Sequence, residues 1–418
     1  MKNRLKIFIC ILTAAILPAP VFAGGKGETK AGGKPELLVS VWAGPHADLQ
    51  KRVVQKNTAA NVTIDDIDYS NMKQKQLTSF QAAAGSGNYD VVWVNSLWMK
   101  EYVGAGYILP IDEYVKQAKL DLGIYAKGLL DGCVFDGKLY GLPTFAQTLI
   151  IAYDSEVFQK EGVKVPSNSE ELIAAAKYFK QKGTGIALPA QQGIDASNLY
   201  SQLLFSEDSY YFDRNGRLAV TSPEAIYAAS VYDQLVQYSL DGSLAWHHDE
   251  VAEALRMKNT PIALIMSGLA NQNHDPERSL IVNTVKYAPL AGKNGMAAAT
   301  NTFWVWAVAR NTKNPAAAAD LCMWLASPAV EKEQTLGDSQ ISAINSLSSD
   351  REVLAKAPFL PVVMEQLANG KNDPYLTSFN AFRVDLETAL SEIATTGAAP
   401  AEVFGRLQKK YENTDFSK

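Results

Sequence analysis

The chain has 418 residues, 47% of them apolar and 20% charged, with a formal net charge of −5. A globular chain of that length is too long for one ordinary core, so two lobes of roughly 150–200 residues are expected. The acid excess gives no basic field for nucleic acid, and polyanion partners are discounted.

The first segment is a targeting pattern. Lys2, Arg4 and Lys6 precede "IFICILTAAIL" (Ile7 to Leu17), an apolar run too short to span a bilayer comfortably. Val21 and Ala23 stand at the −3 and −1 positions of a signal-peptidase site. Residues 1–23 are expected to be a cleaved signal peptide, and residues 24–35 a flexible Gly/Lys leader. Cys10 lies inside the apolar run rather than after it, so no lipid anchor is expected. A soluble periplasmic protein follows from these features.

From Pro35 strand and helix patterns alternate. "ELLVSVW", "NVTIDDIDY" and "YDVVWV" read as strands, separated by helical patterns in "HADLQKRVVQKN" and "NMKQKQLTSFQAAAGSG". This order predicts an α/β fold with a parallel sheet and right-handed crossovers. Further helices carry start signals. Ser167 stands three residues before Glu170, a capping-box spacing. Ser222, Pro223 and Glu224 read as N-cap, first helical residue and a dipole-facing acid. "NPAAAADLCMWLASP" runs from Asn314 to Pro328 with Ala318, Leu321 and Leu325 as its buried stripe. Cys322 falls on that apolar face. An oxidising compartment permits a bridge to Cys133, but a buried free thiol is the expectation.

Several segments, in order, resemble the bacterial extracellular solute-binding proteins of family 1, the maltose-binding-like group that feeds ABC importers. "YDVVWVNSLWMKEYVGAGYILPIDEY" (Tyr89 to Tyr114) resembles the family's strand, helix and aromatic-Gly-x-Leu-x-Pro turn. "FDGKLYGLPTFAQTLIIAYDSEVFQKEGVKVP" (Phe135 to Pro166) resembles its Asp-Gly-Lys-x-Tyr-Gly-x-Pro hairpin and crossing strand. "NTPIALIMSG" and "NTFWVWAVARNTKNPAAAADLCMWLASPAVEKEQ" (Asn301 to Gln334) resemble a later strand and the return to the first lobe. The usual Trp is absent from "SNSEEL", and Leu269 replaces another.

The resemblance implies a two-lobed periplasmic binding protein fold. Each lobe is a mostly parallel sheet flanked by helices, with the ligand cleft between lobes. Residues 36–144 with 301–345 form the first lobe, and 148–299 with 346–418 the second. It further implies a substrate-binding protein of an ABC transporter, expected to be a monomer. Its partners are a sugar or polyol and the permease subunits in the inner membrane. No cofactor is expected.

A neutral sugar needs flat aromatic rings for its CH faces, and amides or hydroxyls for its OH groups. In an open α/β sheet these collect beyond the carboxyl ends of the strands. Trp42 ends the first strand; Asn95 and Trp98 follow "YDVVWV". Trp42 and Trp98 are candidate stacking platforms. Asn95 is a candidate hydroxyl ligand, with a plain helix N-cap as its alternative. Phe145 and Gln147 follow the hairpin at the first crossover and are expected to border the cleft floor. Gln191 follows a short strand of the second lobe, and Ser267 and Asn271 follow "IALIM". Asn301 and Trp304 stand where family members expose a glycine pair to ligand, with core packing as the alternative.

Two other classes stay open: an exported enzyme such as a glycosidase, and a binding protein for a non-sugar solute. A glycosidase needs two carboxylates about 5–10 Å apart, and no sequence signal singles out such a pair. Gly-x-Ser-x-Gly, His-Glu-x-x-His and P-loop patterns are absent. "HHDE" (His247 to Glu250) carries metal-type side chains, but sequence neighbours are expected to point apart. A solvated helix start, with no metal, is the reading.

Overall fold

A computed structural model describes residues 33–84, 88–300, 302–338, 341–374 and 377–416. The expected signal peptide, most of the leader and Asn301 lie outside the described residues. The strands are β1 (Glu36–Trp42), β2 (Asn61–Ile67), β3 (Val91–Asn95), β4 (Val134–Phe135), β5 (Lys138–Leu139), β6 (Leu142–Gln147), β7 (Leu149–Asp154), β8 (Ile262–Met266), β9 (Val285–Ala288) and β10 (Thr302–Val308). They form a five-stranded sheet ordered β2-β1-β3-β10-β6, a three-stranded sheet ordered β8-β7-β9, and the hairpin β4-β5. Asp136 and Gly137 turn that hairpin with φ of 48° and 73°. Two successive left-handed residues are what a two-residue turn needs to match strand twist.

The first three strands pair in parallel, as the alternating pattern predicts. The mostly parallel sheet expected in each lobe carries one reversed strand. β10 is antiparallel to β3 and β6, and β7 is antiparallel to β8 and β9. Chain direction explains both. Only Thr148 separates β7 from the end of β6, so β7 runs away from the crossover, while β8 and β9 run toward it. β10 enters the first sheet from the second in the same way. Isolated parallel bridges, Ile186 to Ser239 and Ala187 to Ala263, extend the second sheet beside β8. In each lobe the strands therefore turn their carboxyl ends to the junction, except the one strand that arrives from the other lobe.

Both faces of the second sheet are buried, which is why β7 and β8 read as unbroken apolar runs. Leu149, Ile151, Ile262 and Leu264 join a cluster with Leu172, Phe179, Leu203 and Tyr232. Their alternates Ile150, Ala152, Ala263 and Ile265 lie on the face covered by helix His248–Arg256 through Val251 and Leu255. In the first lobe, Val91 to Val94 are fully buried. Gln76 ties helix Tyr69–Gln81 to the sheet beneath: its amide donates to Ser40 Oγ (2.9 Å) and the Trp93 carbonyl (3.0 Å), and accepts from the Tyr102 hydroxyl (2.9 Å).

The chain crosses between lobes at Gln147–Thr148 and again between β9 and β10. The third crossing is displaced from the expected 345/346 boundary. Residues Ile341–Ile344 still lie beside β6: the Ala146 N–H donates to the Ile341 carbonyl (2.9 Å), and the Ala126 N–H to that of Ala343 (2.8 Å). Helices Arg351–Lys356 and Leu360–Ala368 pack against helices Pro328–Asp338 and Lys127–Asp131. The chain reaches the second lobe at residues 369–373, where the Lys371 N–H donates to the Ala299 carbonyl (3.0 Å) and the Tyr210 hydroxyl to that of Asn372 (2.7 Å). Helices Thr377–Thr396 and Pro400–Lys410 then join the second cluster through Phe382, Leu386 and Phe404. Breakers recur along this segment, at Pro358, Pro361, Gly370 and Pro374, so they mark turns without marking the one at which the chain changes sides. Gln366 bonds to the junction from this segment: its amide donates to the Leu149 carbonyl (2.8 Å) and accepts from the Leu290 N–H (2.6 Å).

Local start signals need one adjustment. Ser222 caps its helix as expected, accepting from the Ala225 N–H (3.2 Å). The helix expected to start at Ser167 is instead capped by Asn168, which accepts from the Glu171 N–H (2.9 Å). Ser167 donates to the Glu171 carboxylate from both its N–H (2.9 Å) and its hydroxyl (2.7 Å). Cys133 and Cys322 are free and buried, and burial raises both thiols above their usual range.

Candidate functional site

The carboxyl ends of the first sheet carry an aromatic patch. Trp42 closes β1 and stacks on Trp304 near the start of β10, with ring centroids 5.7 Å apart and planes 19° apart. Trp98 follows β3 and stacks on Tyr69, which follows β2, at 5.9 Å and 24°. The two pairs meet: Tyr69 lies 5.6 Å from Trp42, and Trp98 lies 6.0 Å from Trp304 at 80°. Trp304 is 4% exposed, Trp42 and Trp98 are half-buried, and Tyr69 is 45% exposed. Trp304 thus floors the patch and the other three present ring surface. Partial burial pushes the Tyr69 phenol up, so its hydroxyl stays neutral and can both donate and accept.

Trp93 supports the floor from inside β3, 4.7 Å from Trp304 and 5.4 Å from Trp306. Phe145 belongs to this buried layer and not to the cleft border. It is 3% exposed and packs 5.8 Å from the His46 ring and 6.4 Å from Trp93. Its position in β6 points it under the patch. Asn95 is also buried, and its Oδ1 accepts from the Leu97 N–H (3.0 Å) as the cap of a short 3-10 turn. Capping occupies the acceptor that the sequence pattern offers to a hydroxyl. The turn it caps is what carries Trp98 into the patch.

At the crossover Gln147 lies against Gly268, and Ser267 against Thr148. A Cβ built on Gly268 would lie 3.1 Å from Gln147 Nε2, so glycine permits this approach. The Ser267 hydroxyl is 1% exposed and accepts from the Thr148 N–H (3.1 Å), while the Ser267 N–H donates to the Thr148 carbonyl (2.9 Å). Ser267 therefore fastens β8 to the crossover, and its hydroxyl is engaged there. Gln147 is half-buried with its side chain at the junction.

On the second lobe, Gln191 is exposed beyond the end of the Ile186–Leu188 strand segment, and its N–H donates to the Trp246 carbonyl (3.3 Å). Asn271 sits in the 3-10 turn Ser267–His274 after β8, and both polar atoms of its amide are shielded from solvent without a hydrogen-bond partner among the described residues. Sequence reasoning misses half-buried Trp246, because it ends a 3-10 turn rather than a recognisable strand. It misses Tyr69 as well, although that residue follows a strand just as Trp42 does.

A third grouping appears where separation was expected. His247 and His248 both reach Asp195, with His247 Nδ1 to Oδ2 at 2.5 Å and His248 Nε2 to Oδ1 at 3.3 Å. Burial holds the His248 imidazole below its ordinary pKa. The reading of "HHDE" as a solvated helix start therefore fails for His248, whose side chain is 12% exposed. An open groove lined by Gln74, Lys75, Thr78 and Tyr89 lies further along helix Tyr69–Gln81, apart from the aromatic patch.

Residues 43–332 match the family model of the bacterial extracellular solute-binding proteins. A protein of Brucella abortus (strain 2308), assigned as a binding protein, is 24% identical over 273 residues, 64% of each chain. The match thus spans a little under two thirds of that relative's length. The solute-binding protein of Agrobacterium radiobacter K84, solved with ribitol, superposes with a TM-score of 0.73 at 24% identity, covering 90% of this chain and 98% of that one. MalE from Xanthomonas citri, a sugar-binding protein, superposes at 0.80 and 17% identity, covering 91% and 97%. Both share the two-lobed fold.

Proposed function

Because the chain belongs to the bacterial extracellular solute-binding proteins, we propose that it captures a sugar or polyol between its lobes and delivers it to an ABC permease in the membrane. The observation that carries this reading is the patch of Trp42, Tyr69, Trp98 and Trp304 at the strand ends of the first sheet. Flat rings with few rotors suit the CH face of a sugar, and they offer an anionic solute no partner charge. Gln147, Gln191 and Asn271 are amides on the junction and the second lobe, each able to donate and accept. The unpaired Asn271 amide is the group with most to gain, since pairing a buried polar group recovers about 1–3 kcal/mol. Trp246 supplies a second aromatic surface. Asn95, Ser267 and Phe145 act behind this surface as supports.

The reading includes export with loss of residues 1–23, action as a monomer, and binding without turnover. The ribitol found in the Agrobacterium relative makes a polyol the first solute to try. Thermal-shift measurements with ribitol, mannitol, maltose, arabino-oligosaccharides and amino acids test the proposal. A true ligand at a hundredfold excess over Kd stabilises the fold by about 2.7 kcal/mol. Stabilisation by amino acids alone would transfer the protein to the non-sugar class, and steady product release from a glycoside would make it an enzyme.

A further inference from the structure

We propose that Asp195, His247 and His248 form a binding site for a first-row divalent metal ion, with Zn2+ the best-fitting occupant. Asp195 is the second residue of helix Ile194–Ser206 and is 3% exposed. His247 and His248 cap and open helix His248–Arg256. The two helix starts face each other, and one atom from each of the three side chains lies within 4.8 Å of the others. Asp195 and His247 are 52 residues apart in sequence, so the grouping exists only in the folded chain.

Two details distinguish a metal site from a buried hydrogen-bond network. Asp195 Oδ1 is shielded from solvent and lacks a hydrogen-bond partner among the described residues, and so does His248 Nδ1. A carboxylate oxygen left unpaired beside an imidazole nitrogen 3.3 Å away is poorly explained by stability, because unpaired buried acceptors are costly. A cation between Asp195 Oδ1 and His248 Nε2 gives the carboxylate oxygen its partner and leaves the ring proton of His248 on Nδ1. Tetrahedral coordination with bonds of about 2.0–2.2 Å sets donor atoms about 3.3 Å apart. The Oδ1–Nε2 pair already has that spacing. His247 has a side chain 52% exposed and is free to shift by the ~1–2 Å that closes the set.

The donor set identifies the class of ion. Two imidazoles and one carboxylate suit Zn2+ and its first-row neighbours, whereas Ca2+ and Mg2+ take all-oxygen sets. Three protein ligands leave a fourth position, which opens to solvent past His247. The ion takes the place of the proton between His247 Nδ1 and Asp195 Oδ2, and neutral His247 then carries its one ring proton on Nε2, toward solvent. The site lies beyond the Ile186–Leu188 strand segment, at the same end of the sheet as Met266 and Ser267. A bound ion would join the Gln191–Asp195 loop to the Trp246–His248 turn at the lobe's inner rim, in addition to the Gln191–Trp246 backbone bond.

The test uses the untagged exported protein, freed of metal by chelator, then titrated with Zn2+ by calorimetry and with Co2+ by visible absorption. The expected result is one equivalent of either ion, with the intense d–d bands of tetrahedral Co2+, and no displacement by millimolar Ca2+. Asp195→Asn and His247→Ala should each weaken binding at least tenfold. His248→Ala is the variant most exposed to folding defects, so substitution at the exposed His247 position decides the matter, with circular dichroism as a control. Absence of a stoichiometric site, unchanged affinity in His247→Ala, or ready displacement by Ca2+ would each overturn the proposal. None of these readouts depends on the transported solute.

Discussion

Trp98 and Trp42 are set by one rule at the residue scale: a large ring placed at or just past the carboxyl end of a strand is presented at the junction. That rule makes both legible in the sequence, and it applies equally to Tyr69. Trp304 is ambiguous there because its side chain is both floor and core, packed on Trp93 at 4.7 Å. Trp98→Ala and Trp42→Ala are therefore expected to weaken solute binding by about 2 kcal/mol or more, as anchors in a desolvated site do. Trp304→Ala should cost binding and also about 3–5 kcal/mol of stability, the usual range for emptying a buried aromatic position. Calorimetric titration reads the first quantity and urea unfolding the second. Equal stability losses in all three variants, with affinity intact, would make the patch a core. The Asp195–His247–His248 grouping illustrates what sequence could not reveal. Adjacent histidines at a helix start diverge or converge according to what faces them, and the facing residue comes from another helix.

Between elements, Glu331 is the most exposed to a test. It lies on helix Pro328–Asp338, 2% exposed, and accepts from the Thr144 hydroxyl of β6. Burial pushes its carboxyl up to about 7 from an ordinary 4.5. The folded chain thus holds a proton that the unfolded chain releases between pH 4.5 and about 7. Stability from this group is fully present below pH 4.5 and declines as pH rises through about 7. Glu331→Gln should remove that decline, on the order of 1–3 kcal/mol, leaving the variant the more stable protein at pH 8. Parallel urea melts at pH 5 and pH 8 measure the difference, and identical pH slopes in both proteins would refute it. Sequence patterns locate the elements here better than their partners. Parallel pairing of β1 to β3 follows from alternation, but the reversal of β7 and β10 follows from where the chain crosses. The third crossing at 369–373 carries a turn signal in Asn369–Gly370, with Pro374 behind it, but a turn does not say which lobe the chain joins next.

For the whole molecule, backbone crossings join the lobes at Gln147–Thr148, between β9 and β10, and at residues 369–373. Thr300 and Lys371 pair as a parallel bridge, so two of these segments are held together. Such a hinge bends along one axis and resists twisting. If the aromatic patch and the second-lobe amides grip one solute, only a closed arrangement lets both touch it, and binding shifts the population toward closure. Small-angle X-ray scattering should show a smaller radius of gyration at saturating ligand than without ligand. An unchanged radius with a ligand that binds by calorimetry would mean a preformed site.

The reversal of β10 has a consequence for the order in which the protein can be made. β10 sits between β3 and β6, so the sheet begun at residue 36 stays split until residue 308 has arrived. Every strand of the second sheet is complete before the first sheet can close. Under the proposed export, a chain threaded from its amino end would emerge with its leading half unable to finish folding. Its edges at β3 and β6 stay open to wrong partners for most of that passage. A fragment ending at Gln147 should remain unfolded by circular dichroism, and should gain structure only when Thr302–Val308 is supplied, in cis or as part of a longer complementing piece.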